Sequence, residues 1–189
     1  MKEFVDYIQQ FGYLNQQQID VVLSKARTLD LQKGEYFSEA GKIPKYVGFI
    51  LEGVLCVCYF NSKGEKVAHS FVDENNFVWD QQKFETQVAA CDYIEAITCC
   101  KLLVFTKNDW DEIGRIVDGW NTITDRILKN FLFKTIERRS PLVSEDATTR
   151  YLSFIDHSPQ LMNRVPLSLI ASYLGITQQS LSRIRKNIT

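Results

Sequence analysis

The sequence is poor in the residues from which catalytic and metal centres are built. Its 189 residues include two histidines, His69 and His157, and the pattern puts them in different units. A lone histidine on a strand is more often a surface or satisfied core residue than a ligand. No paired-carboxylate, nucleophile–base or phosphate-loop pattern stands out. The glycines at 34, 41, 48, 53 and 64 suit turns better than phosphates. These absences argue against an enzyme and against a metal or other cofactor. The five cysteines are an odd number with no CxxC among them. They read as small buried hydrophobes in a compartment that keeps thiols reduced. Cys56 and Cys58 alternate on a strand-like run and point the same way. No run approaches the ~20 apolar residues of a membrane span. The opening MKEFVDYIQQFGYLN carries acids and lacks the apolar core of a signal peptide. The cytoplasm is therefore the expected location.

Charge of either sign is nearly absent in sum, at −1, so the whole chain is not a polyelectrolyte partner. It is unevenly spread, however. From Arg126 onward there are ten Lys/Arg against four Asp/Glu, which leaves twelve against nineteen before it. An acidic front and a basic back fit a separate nucleic-acid-binding end.

That end contains Arg164 to Lys186, RVPLSLIASYLGITQQSLSRIRK. Pro166 suits a first helical turn. Leu167, Ile170, Ala171 and Leu174 fall at helical spacing and form one apolar face. Gly175 stops the helix, Ile176 plugs the turn, and the Thr177 hydroxyl caps a second helix, Thr177–Asn187. Leu181 and Ile184 face inward there. Gln178, Gln179, Ser180, Ser182, Arg183, Arg185 and Lys186 face out, with no carboxylate among them. Amides, hydroxyls and guanidiniums are the groups that bond base edges and phosphates in a major groove. The pattern reads as a helix-turn-helix with Thr177, Gln178, Gln179, Ser180, Ser182, Arg183, Arg185 and Lys186 on duplex DNA. The plainer alternative is a helical hairpin with a solvated face.

Upstream, residues 2–24 look helical, broken at Gly12 and capped at Asn15. Short strand-like runs follow to Phe105, punctuated by glycine turns and by a hairpin turn at Asn61–Gly64. Many short strands argue for an antiparallel β-barrel or jelly roll. From Asn108 to about Arg139 the period is helical again, with Asn108 or Asp109 as the cap. Ile113, Ile116, Val117, Trp120, Ile123, Ile127 and Phe131 lie on one stripe. A long stripe between two domains suits pairing of two subunits, or packing on its own barrel. Ser140-Pro141 ends this helix. Another starts near Ser144, with Ala147, Tyr151, Leu152 and Ile155 inward. The expected class is α+β. A sensor barrel with N-terminal helices occupies 1–108, a connecting helix 109–139, and a helix-turn-helix domain 140–189.

With Lys33-Gly34-Glu35 and Gly41, Phe49-Ile50-Leu51-Glu52-Gly53, and Thr177-Gln-Gln-Ser-Leu-Ser-Arg183, this arrangement resembles the cyclic-AMP receptor protein and fumarate–nitrate regulator (Crp/Fnr) family of transcription factors. The resemblance implies a cyclic-nucleotide-binding-type barrel, a homodimer on two-fold DNA half-sites, and RNA polymerase as a further partner. It also exposes departures. The family's cassette runs Phe-Gly-Glu-Leu, then an Arg-Ser/Thr-Ala whose arginine holds the cyclic phosphate. Here the matching stretch is Asn76-Phe-Val-Trp-Asp-Gln-Gln-Lys-Phe-Glu-Thr-Gln-Val-Ala-Ala90. The Gly-Glu pair is missing, and Thr86, Gln87 and Val88 stand where the arginine is due. Lys83, beside Glu85, is the one cation near. Cyclic AMP is therefore not expected as the effector. Phe77, Trp79 and Phe84 line a pocket for an apolar ligand or are simply barrel core. Relatives have Arg and Glu where Gln178 and Gln179 stand, which implies a changed operator, and they continue into a wing where this sequence stops. The alternative reading is a cupin-like small-molecule-binding protein or enzyme whose helical tail serves protein contacts.

Overall fold

The computed structural model describes residues 1–188, and for residues 138–143 the backbone only. Two short helices open the chain, α1 (Lys2–Gln9) and α2 (Gln16–Lys25). The start of α2 is fixed by a reciprocal cap: Asn15 Oδ1 accepts the Gln18 N–H, and Gln18 Oε1 accepts the Asn15 N–H, both at 2.9 Å. Eight strands follow: β1 (Arg27–Leu31), β2 (Tyr36–Ser38), β3 (Tyr46–Glu52), β4 (Leu55–Phe60), β5 (Lys66–Val72), β6 (Phe77–Val78), β7 (Tyr93–Ala96) and β8 (Cys100–Thr106). They form two four-stranded antiparallel sheets, ordered β1-β8-β3-β6 and β2-β7-β4-β5.

Alternation along the strands decides what each face meets. On β8, Leu102 and Val104 point between the sheets, where they join Ile50, Leu55, Ile94 and Ala96. Leu103 and Phe105 point the other way, into a cluster with Val47, Phe49 and the helices. Phe4 of α1 sits there fully buried, its ring 5.3 Å from Phe49 and 5.6 Å from Phe105. The first sheet is thus covered on both faces, and β8 reads as an almost continuous apolar run.

The long helical stretch divides in two, α4 (Lys107–Ile116) and α5 (Trp120–Ser144). Its cap is Thr106, whose hydroxyl accepts the Asp109 N–H, in place of the expected Asn108 or Asp109. Periodicity carries through the break because the apolar residues resume after it. The signal for the break is Gly119, which adopts φ +85° in a turn that the left-handed region makes easy for glycine alone. The helix also runs past Ser140-Pro141, the expected end. Next come α6 (Ala147–His157), α7 (Leu167–Tyr173) and α8 (Gln178–Ile188). On α6 the buried residues are Tyr151 and Phe154, while Leu152 is exposed, contrary to its expected inward position. Among the described residues no helix is long and apolar enough to cross a membrane.

Candidate nucleic-acid interface

The last three helices build one unit around Leu181, which is fully buried beside Ile170, Ala171 and Leu174. Asp146 starts α6 by accepting the Thr148 and Thr149 N–H groups at 2.8 and 3.1 Å. Pro166 stands at the N-cap of α7, one place ahead of the first turn. Gly175, at φ +67°, turns the chain out of α7. Thr177 Oγ1 accepts the Ser180 N–H at 3.1 Å and so caps α8. Thr177, Gln178, Gln179, Arg183, Arg185 and Lys186 are exposed on that helix, and Ser180 and Ser182 are half-buried. The positive residues Arg185 and Lys186 occupy its last turn, where they also complement the helix dipole.

This unit is docked on the outer face of the second sheet. Phe71 packs 5.6 Å from Tyr173 and 6.3 Å from Phe154. Cys56 and Cys58, both fully buried, lie in the same cluster, as their shared face on β4 requires. Cys100 is also buried, while Cys91 and Cys99 are exposed. β5 is an edge strand, and an edge carries backbone groups in need of partners. Ser172 of α7 supplies one: its Oγ accepts the Ala68 N–H at 3.0 Å and donates to the Lys66 carbonyl at 3.3 Å. Gln160 Nε2 donates to Asp73 at 2.6 Å. Arg164 grips Glu74 with both arms, one at 2.8 Å, and Glu74 Oε1 also accepts the Gly53 N–H at 2.7 Å. None of the partners that tie these helices to the sheet was legible in the sequence, since 87 to 106 residues separate them.

Burial pushes the Glu74 carboxyl up, but the bonds from Arg164 and from backbone N–H groups outweigh it, and its pKa lies below the ordinary 4.5. A carboxylate with a depressed folded-state pKa stabilises the fold above the unfolded value, and that stability is lost as pH falls through the folded value. Glu74→Gln is therefore expected to lower stability by about 1 kcal/mol at neutral pH. The gap to the parent should close as the pH drops below 4.5. Thermal melts of both chains across that range check this.

The residues expected to line an effector pocket are not all together. Asp80 caps a short helix, α3 (Gln81–Thr86), its carboxylate accepting the Lys83 N–H at 3.2 Å. That carboxylate occupies the positive end of the helix. Phe84 is 1% exposed and belongs to the core under α1 and α2. Glu85 borders a separate cleft with Trp110 and Asn121. Lys83, Thr86, Gln87 and Val88 do not border the cavity next to α5, and Gln87 closes α3 in a left-handed turn at φ +54°. Phe77 and Trp79 do border it. That cavity, of about 350 Å³, lies between the strands and α5.

The pairing stripe needs a similar correction. Ile113, Val117, Trp120, Ile123 and Ile127 are all buried in the chain's own core. Ile116 and Phe131 are exposed, and α5 adds Leu132, Phe133 and Ile136 to the uncovered apolar surface. The helical period identified a buried face correctly but not what buries it. His69 and His157, expected in different units, both line a cleft of about 50 Å³ between β5 and α6. Among the described residues no three His, Cys, Asp or Glu side chains come together to hold a metal.

Two antiparallel sheets, a long connecting helix and a docked helix-turn-helix, in this order, are the fold of the Crp/Fnr transcription regulators. FixK2 from Bradyrhizobium japonicum is similar over 86% of this chain and 84% of its own, with a TM-score of 0.71 at 15% identity. The regulator CLP of Xanthomonas campestris, described as responsive to c-di-GMP, covers 92% and 91% with a TM-score of 0.72 at 15% identity. A protein from Eubacterium rectale described as a Crp/Fnr-family transcriptional regulator covers 92% and 83% with a TM-score of 0.71 at 13% identity. No family model matches the sequence, and no curated protein matches it.

Proposed function

We propose that this chain is a DNA-binding transcriptional regulator rather than an enzyme, a homodimer that reads a two-fold operator through α8. The observation that carries the reading is the outward face of that helix. Gln178, Gln179, Arg183, Arg185 and Lys186 are exposed on it, above an apolar side sealed by Leu181. The likeness to solved regulators supports it. Phe131, Leu132, Phe133 and Ile136 offer an apolar strip on which two copies can pair. RNA polymerase is the natural further partner of such a regulator. Selection of bound sites from random duplexes is the test. Paired half-sites centred one helical turn apart, ~34–36 Å, are expected; enrichment of no sequence overturns the reading.

Cyclic AMP is not the effector in this proposal. An anion at the start of α3 meets the Asp80 carboxylate, which already satisfies the N–H that a phosphate would take. Calorimetry at millimolar cyclic AMP is expected to show no saturable heat; a saturating isotherm would contradict this.

A further inference from the structure

Cys56 and Cys58 form a pair that DNA binding leaves unused. They stand two apart on β4, which pairs with β7 without a break from Leu55 to Cys58. Alternation therefore holds, and both point to the outer face of the sheet. Both are fully buried, and their thiols interact directly with each other. Cys56 Sγ also donates to the Val57 carbonyl at 3.6 Å, a weak bond that ion binding would replace. The register brings a further group over the pair. Glu95 on β7 lies opposite Cys56, and Ala68 on β5 lies opposite Cys58, with Lys66 two residues earlier. Opposed residues of an antiparallel pair share a face. The ion pair from Lys66 to Glu95 therefore crosses β4 on the thiol side. Its side chains are 24% and 15% exposed, so the sulfurs lie beneath a partly wetted bridge.

Two thiols so placed suit an ion between them better than a bond between them. Residues at i and i+2 of a strand have Cα atoms ~6.6 Å apart, at the far end of what a disulfide accepts. An ion held between the sulfurs relieves that demand. Thiolates are soft ligands and select soft ions, Cu(I) among them. Structural zinc takes four ligands, and among the described residues no three His, Cys, Asp or Glu side chains gather to supply them. Cu(I) accepts two sulfurs in a line. Two thiolates around a monovalent ion leave one negative charge in excess. A buried charge needs a partner, and the Lys66 ammonium is placed to be one.

We infer that Cys56 and Cys58 together form a site for one soft monovalent metal ion, Cu(I), held between their sulfurs with Lys66 as counter-charge. The site goes beyond the regulator reading and does not depend on it. Its position gives occupancy a consequence. Ala68, opposite Cys58, donates its N–H to Ser172 of α7, so an ion bound at Cys58 bears on the contact that docks α7.

The test is a competition for Cu(I) in the reduced full chain. Cys91→Ser and Cys99→Ser are introduced first, to remove the two exposed thiols. Bicinchoninate, a chromophoric Cu(I) chelator, reports what the protein withholds. One Cu(I) per chain is expected to be withheld, with two sulfur neighbours by X-ray absorption. Cys56→Ala and Cys58→Ala should each abolish this. Cys100→Ala, which removes the third buried thiol, should leave it intact. Lys66→Gln, at a partly exposed position that does not threaten the fold, should weaken retention by about tenfold to a hundredfold. Zn(II), offered against 4-(2-pyridylazo)resorcinol, should not be retained. Absence of withheld Cu(I) overturns the inference. So does Cu(I) withheld equally by Cys56→Ala or Lys66→Gln, an equal loss in Cys100→Ala, or retention of Zn(II). No step uses DNA, so a chain that withholds Cu(I) and ignores every duplex refutes the regulator reading and leaves this site standing.

Discussion

Arg183→Ala is expected to cost about 1–3 kcal/mol at a selected operator, roughly fivefold to 150-fold in affinity, and little on random duplex. The reason lies in where the side chain sits. Arg183 is exposed on α8, two residues beyond Leu181, which anchors the helix to its unit. A guanidinium there can make paired bonds to guanine, and the two glutamines a turn earlier suit adenine. Gel-shift titrations of parent and variant on both duplexes decide between roles. Equal losses on the two would make Arg183 a phosphate contact, and the salt slope would then fall by about one.

Gly53→Ala is expected to be among the most damaging single changes in the molecule, at about 2–5 kcal/mol. Two costs combine. Gly53 adopts φ +105°, a conformation that strains any residue with a β-carbon. A β-carbon there would also lie 2.5 Å from the Cys99 carbonyl oxygen and 2.7 Å from Cys100 Cα, which are backbone atoms that cannot swing aside. Gly34→Ala is the control, since it shares a positive φ of +91° but meets nothing within 4 Å. Its loss should be clearly smaller in thermal melts. The Gly53 change should also reach the unit of α6, α7 and α8, because the Gly53 N–H and Arg164 share the Glu74 carboxylate. Equal melting temperatures for the two variants would show that the close approach carries no cost.

What the sequence disclosed was local. Gly175, Thr177 and the spacing from Leu167 to Ile184 lie within one short stretch, and a helix-turn-helix is built from such neighbours. The strands were legible because glycine turns and apolar runs alternate. The stripe from Ile113 to Ile127 shows where local pattern stops: a 3.6-residue period marks a buried face, yet a partner subunit and the chain's own sheet demand the same apolar residues. Phe84 was left between pocket and core for the same reason, since an aromatic in core and an aromatic in a pocket look alike in sequence; it lies in the core. Helix α3, six residues long, is too short to show a period. The docking of α7 on the edge of β5, through Ser172, was equally hidden.

The face of α8 turned to solvent is the centre of this account, and cross-linking to DNA tests it most directly. A selected duplex carrying 5-bromouracil in each half-site would be irradiated with the full chain and the cross-linked peptides mapped. Cross-links within residues 177–186 are predicted. Cross-links confined to the strands, or none at low salt, would contradict the account.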